Sequence, residues 1–342
     1  MNISKQPIRD KWTEYTLEND HGMSVSILNY GGIITKIMAP DRAGNIENVV
    51  LGYRDYADYE ANPNFFGAII GRVAGRIQGA SFELDDDTYN LEKNEGDHHL
   101  HGGSNGFHSV IWKVEPFQNN GAVGLKLSHT SRDSDSNYPG NVDVSVTYTL
   151  LSNNDLILDY EASTDETTPL TLTNHSYFNL NGDLKATVDQ HHVTFDSDKI
   201  IELDDELIPT GNGLKTAGTT FDFRKGRLLG DGFHDQLKQH AIAGSGYDHY
   251  FLFADKGKVV VREQQSGRMM TVKTNQPGMV MYTGNGLDDQ SQLREGVSAK
   301  HLGVCFETQG TPASLKHDFP SIMLQQGEMY KKRTVFSFDV FT

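Results

Sequence analysis

From Val142 to Ala162 apolar and polar side chains alternate with a period of two, and this pattern restricts the possible folds more than any other feature of the chain. Val142, Val144, Val146, Tyr148 and Leu150 are interleaved with Asp143, Ser145, Thr147 and Thr149, so one face of an extended segment is apolar and the other is wet. Leu156, Leu158, Tyr160 and Ala162 repeat the alternation after the turn-forming run Ser152, Asn153, Asn154 and Asp155, which predicts a hairpin. A second hairpin is predicted at 258–274, where VVVREQQ and RMMTVKT flank Ser266 and Gly267. Further strands are expected near 24–38, 81–91, 110–117, 123–130, 170–178, 191–196, 247–253, 279–283, 302–309 and 329–340. Helices are expected only around Tyr56–Tyr59 and Leu228–Gln239. Many short strands punctuated by Gly, Asn and Asp predict an all-β protein, a large antiparallel sandwich or barrel rather than a βαβ fold. With no Pro-, Gly- or Ser-rich linker, no repeat and no shift in composition, one domain over residues 1–342 is expected.

Charge and cysteine content narrow the classes of partner. A net charge of −16 repels phosphate backbones and anionic headgroups, so neither nucleic acid nor a membrane surface is expected as a partner. The single cysteine, Cys305, excludes an internal disulfide framework and a zinc site built on several thiolates, the pattern of a reducing compartment. The N-terminus MNISKQPIRDKWTEYTL has no apolar region behind its basic residues, and a cytoplasmic location is expected. A monomer and a homodimer are both compatible with strands of this kind.

Several motifs fail on context. Gly102, Gly103, Ser104, Asn105 and Gly106 satisfy G-x-S-x-G, but a nucleophile elbow requires a helix after the serine, and FHSVIWKVEPF reads as strand. No phosphate-cradling glycine loop is present. Of 14 histidines, His98, His99 and His101 cluster in GDHHLHGG, where positions 99 and 101 would share a strand face. Two imidazoles need a third ligand, and no H-E-x-x-H or paired-cysteine spacing supplies one, so no metal is expected.

More informative are polar residues inside segments that otherwise read as buried strands. TPLTLTNHSYFNL places His175 among Leu172, Tyr177, Phe178 and Leu180, and HLGVCFETQG places Glu307 directly after Val304, Cys305 and Phe306. A carboxylate in such a setting is costly unless it is paired or faces a cavity.

The order and content of six segments resemble the aldose 1-epimerase (galactose mutarotase) family over essentially the whole length: GRVAGRI at 71–77, LHGG at 100–103, TNHSYFNL at 173–180, YDHYF at 247–251, NQPGMVMYTGN at 275–285 and CFETQ at 305–309. The resemblance implies a large β-sandwich of the galactose mutarotase type, an open cleft on its sheet, a monosaccharide substrate and no metal or organic cofactor. It also implies roles. Glu307 would take the proton from the C1 hydroxyl, His175 would give one to the ring oxygen, and His101 would hold and polarise the same part of the sugar. Arg76, Asp248 and Gln276 match positions that bind the remaining hydroxyls, and Tyr177 would line the cleft. One variant of the family carries asparagine before the arginine, where this chain has Gly75.

The chemistry is self-consistent. Converting one anomer to the other requires opening the bond between C1 and O5, rotating the aldehyde and closing on the opposite face. A base at the C1 hydroxyl and an acid at O5 are sufficient, and closure restores both. An ordinary glutamate is ionised at neutral pH, and a histidine whose pKa is raised by an acidic neighbour is protonated. Three alternatives use some of the same residues: a glycosidase pairing Glu307 with Asp248, a hexose-6-phosphate 1-epimerase with Arg72 and Arg76 as its cations, and a non-catalytic carbohydrate-binding domain.

Overall fold

The computed structural model describes residues 1–255 and 257–341. Three larger antiparallel sheets dominate it, of nine, six and five strands. The alternating segment forms the hairpin Val142–Leu151 and Asp155–Thr164, with Leu150 opposite Leu156 and Asn154 in a left-handed conformation at the turn. Its alternating apolar residues, Val142, Val144, Val146, Tyr148 and Leu150 on one strand and Leu156, Leu158, Tyr160 and Ala162 on the other, are all buried in one core. Each such Val or Leu contributes about 1.5–3 kcal/mol relative to an exposed one. The hairpin lies within the nine-stranded sheet, which continues through Tyr330–Val340 to the second predicted hairpin, Gly257–Arg262 and Arg268–Thr274.

Against this apolar face packs the six-stranded sheet. From its edge the order runs Tyr177–Phe178, Val304–Gln309, Gly278–Tyr282, Asp248–Leu252, Lys199–Leu203 and Pro209–Lys215. Phe178, Val304, Phe306, Met279, Met281 and Phe251 point into the shared core with Val261, Val272 and Phe336 of the larger sheet. This is the expected sandwich. The five-stranded sheet, from Asn2–Arg9 to Ile46–Asn48, adds Leu17, Val25, Ile27, Ile34 and Ile37 to the same core.

Several expected strands differ in detail. The 24–38 segment is two strands, Ser24–Leu28 and Ile34–Pro40, and 81–91 is a small hairpin. The 170–178 segment breaks into the two-residue pieces Thr173–Asn174 and Tyr177–Phe178, which pair with different partners, Ile69–Ile70 and Val304–Gln309. Among the described residues helix is confined to short pieces, including Tyr56–Glu60, Gly230–Phe233 and Lys238–Ile242. Ser104 precedes a single turn, Phe107–Ser109, and not the helix a nucleophile elbow needs.

Candidate active site

Period two also builds the cleft. In the six-stranded sheet the residues that alternate with the core-facing ones turn to the opposite side: Tyr177, Cys305, Glu307 and Gln309, Val280 and Tyr282, Asp248 and Tyr250. Seven of these eight line a cleft of about 440 Å³, and Cys305 lies beneath it, touching His175. Glu307 sits opposite Val280, and Asp248 opposite Tyr282. The strand Val304–Gln309 is buried on both faces, which explains why it reads as apolar up to its carboxylate.

Loops bring the histidines to this floor. His175 follows Asn174, its amide donating to the Ala68 carbonyl while its own carbonyl accepts from Gly67, so the backbone is clamped on both sides. His101 stands in a left-handed turn directly after the strand His99–Leu100, with φ of 54°. That turn needs the glycines of LHGG, because a Cβ on Gly102 would lie 2.0 Å from the Gly71 carbonyl oxygen. The kink also separates His101 from its neighbours. His99 turns its Nδ1 to the Glu92 carbonyl and packs edge-on against Tyr138, and His98 accepts from the Gly79 amide. The expected shared face of His99 and His101 does not form, since the strand ends between them.

The resulting centre is compact. His175 Nε2 lies 3.6 Å from Glu307 Oε1. That gap is too long for a direct hydrogen bond, so neither group is saturated by the other. The His101 and His175 rings meet edge to face at 5.4 Å, and Phe65 packs against both at 4.8 and 5.9 Å. On the other side Arg76 grips Glu95 through Nε at 2.5 Å and Nη2 at 2.8 Å, near Asp248.

Burial decides the protonation, against the expectation of an ionised glutamate and a protonated histidine. Loss of water, reinforced by Asp248, pushes the Glu307 pKa well above its usual value. The same burial pulls His175 down to about 4 and His101 well below its usual range. Burial therefore disfavours the charged form of both Glu307 and His175, and a pair with both groups neutral holds one transferable proton. Asp248 is also raised by burial, opposed by Arg76.

Ligand atoms of His101, His175 and Glu307 all lie within 4.8 Å of one another, so the structure supplies the third ligand that sequence spacing does not. The hydrogen bonding of His101 points another way. A metal-bound imidazole donates its second N–H to an acceptor. His101 Nδ1 instead accepts from the Gly75 amide at 3.1 Å, which assigns the hydrogen to Nε2 and turns a donor, not a lone pair, into the cleft. Such a donor suits a sugar oxygen. Gly75 can do this because its φ is 93°, and a Cβ there would meet Pro312 at 3.1 Å, so asparagine is strained at this position.

Of the residues singled out from sequence, Glu307, His175, His101, Arg76, Tyr177 and Asp248 all line the cleft. Gln276 does not. It sits at the turn joining Arg268–Thr274 to Gly278–Tyr282, where its Nε2 donates to the Tyr330 hydroxyl at 3.1 Å, so the expected hydroxyl contact is corrected. Arg72 is likewise buried elsewhere, donating to Ser131 Oγ and the Pro139 and Arg132 carbonyls. Sequence reasoning missed Gln309, Glu95, Phe65 and Tyr282. Gln309 was within reach as the residue two beyond Glu307 on the same face, whereas the others carry no local signal. Asp248→Asn is expected to raise KM for the sugar about tenfold or more, the scale of a lost charge-assisted hydrogen bond, while Gln276→Ala leaves KM within about twofold. Steady-state kinetics of the two variants checks both.

Fold and cleft together define a large antiparallel β-sandwich built to hold a small polar ligand against a carboxyl–imidazole pair. The aldose 1-epimerase family profile matches residues 13–337. The chain is 39% identical over 333 residues to the galactose mutarotases of Sus scrofa and Homo sapiens, covering 96% of this chain and 94% of each relative. The crystal structure of galactose 1-epimerase from Lactobacillus acidophilus NCFM superposes with a TM-score of 0.88 at 28% identity, covering 100% of this chain and 99% of that one. This chain belongs to the aldose 1-epimerase family. Its activity is that of an isomerase interconverting the anomers of an aldose.

Proposed function

We propose that this activity is exerted on free hexoses such as D-galactose and D-glucose, with Glu307 and His175 as the proton-transfer pair and His101 as a hydrogen-bond donor to the reacting end of the sugar. One observation carries the assignment. O1 and O5 are both bonded to C1, so the groups serving them must lie within a few ångströms of each other, and His175 Nε2 and Glu307 Oε1 are 3.6 Å apart. With one proton between them, the pair holds one hydrogen to give to O5 and one vacancy to accept the hydrogen of the C1 hydroxyl. The open aldehyde then turns about C1–C2, and closure on the other face returns both protons. His101 Nε2–H stabilises charge on the oxygen it touches, and Arg76 and Asp248 take peripheral hydroxyls.

A phosphorylated substrate fits this cleft poorly. Among the described lining residues Arg76 is the sole cation, and it stands among Glu95, Asp248 and Glu307. Polarimetry on fresh α-galactose, α-glucose, a pentose and glucose 6-phosphate tests the reading. Free hexoses are expected to equilibrate fastest, with rates unchanged by EDTA. Faster turnover of the phosphate would contradict the substrate class, and loss of rate restored by added metal would contradict the cofactor-free chemistry.

A further inference from the structure

The orientation of His175 depends on what meets its far nitrogen. At acid–base and metal sites that partner is commonly a carboxylate or a backbone carbonyl. Here it is sulfur: Cys305 Sγ lies 3.5 Å from His175 Nδ1, and no other side chain among the described residues bonds that atom. Register leaves the thiol no other direction. Cys305 alternates with Glu307 on the cleft side of its strand, between Tyr177 on one neighbouring strand and Tyr282 on the other, and is fully buried beneath the ring.

We propose that Cys305 is a positioning residue for His175, its thiol setting the plane and tautomer of the imidazole so that Nε2 stays turned toward Glu307 and the sugar. This rests on the acid–base reading above. A thiol is both a weak donor and a weak acceptor. It accepts from Nδ1–H, which the ring carries whether neutral or protonated, and so leaves Nε2 free to hold or release the proton exchanged at the cleft. No charge has to move behind the ring as it cycles. A carboxylate in the same place would hold a proton on the imidazole by Coulomb attraction and weaken it as an acid. Sulfur exerts no such pull, in keeping with a ring held at about 4, and burial keeps the thiol itself protonated.

Two substitutions separate positioning from packing. Cys305→Val keeps an apolar side chain of similar bulk and removes the polar partner, whereas Cys305→Ser keeps a donor and acceptor on a shorter arm. In Cys305→Val kcat for anomer interconversion is expected to fall about tenfold or more, the usual scale for loss of an orienting partner. Cys305→Ser should lose less, with KM within about twofold of the parent in both. Ring 15N shifts of His175 should report the Nδ1-protonated tautomer in the parent and in Cys305→Ser, and a mixture in Cys305→Val. A parental kcat and tautomer in Cys305→Val, or equal losses in both variants with the tautomer unchanged, would overturn the proposal. His175→Asn, assayed alongside, keeps the two claims apart: a parental rate there sinks the acid–base reading whatever Cys305 does.

Discussion

Glu307→Gln is expected to slow interconversion by about 10² to 10⁴-fold, the range of one positioned proton-transfer group, and at the same time to raise the thermal midpoint of the protein at neutral pH. The two effects share a cause. The carboxyl is buried, its pKa is raised mainly by loss of water, and its pairing with His175 is too long to compensate. A carboxyl whose pKa is higher in the folded than in the unfolded state contributes its full stability below the unfolded value near 4.5. That contribution is lost as pH rises toward the folded value. The neutral amide has no such loss. The stability advantage of Glu307→Gln over the parent should therefore be absent near pH 4 and grow toward neutrality. A series of melting curves from pH 4 to 8 reads it directly, and a constant offset across that range would show that burial is not what perturbs Glu307.

His175→Asn is expected to lose a similar factor in rate, and the double variant little more than either single one, because base and acid work on one substrate in one step and do not act independently. Polarimetry on fresh α-galactose provides the comparison. If either single variant equalised the anomers at the parental rate, the assigned roles would be wrong. Equilibrium binding of the sugar should survive in both variants, since Arg76 and Asp248 are untouched.

How much of this was legible from sequence follows from which physical signals are local. The hairpin at 142–164 was legible because one wet and one dry face impose period two. Strands Lys199–Leu203 and Pro209–Lys215 were not, because Pro209, Gly211, Asn212 and Gly213 read as turn, and this edge hairpin buries little on its second strand. Strand Asn2–Arg9 is mostly exposed and leaves no alternation to find. In the site, Glu307 and His175 stood out as polar residues inside apolar segments, while Gln276 was assigned only from the resemblance of its motif, and its position at a turn directs it to the Tyr330 hydroxyl and away from the cleft. The protonation pattern was beyond reach, since composition reports which groups are present but not how much water each loses.

The same loss of water governs the response of the whole protein to acid. Burial holds His108, His175 and His191 at about 4 and His249 at about 3, with His99, His101, His129, His240 and His301 also lowered. Bonding explains why the neutral form is retained at three of them: the Gly75, Leu180 and Asp248 amides donate to ring nitrogens of His101, His191 and His249, and a cationic ring has no lone pair to accept them. A base with a depressed folded pKa contributes its stability above the unfolded value near 6.5 and loses it as pH falls toward the folded value. At pH 5 the four histidines held at about 3 to 4 forfeit about 2 kcal/mol each, roughly 8 kcal/mol together, against a typical total of about 5–15 kcal/mol. The raised carboxyls Glu307, Asp248 and Glu295 offset part of this, since protonation relieves them. The histidines still prevail by number. Urea unfolding at intervals from pH 5 to 6.5 should show stability rising steeply with pH, and His191→Gln, whose carbonyl can accept the Leu180 amide, should flatten that slope by about one proton, or 1.4 kcal/mol per pH unit. Stability that stayed flat or fell across this interval would mean that these rings are solvated in the folded protein.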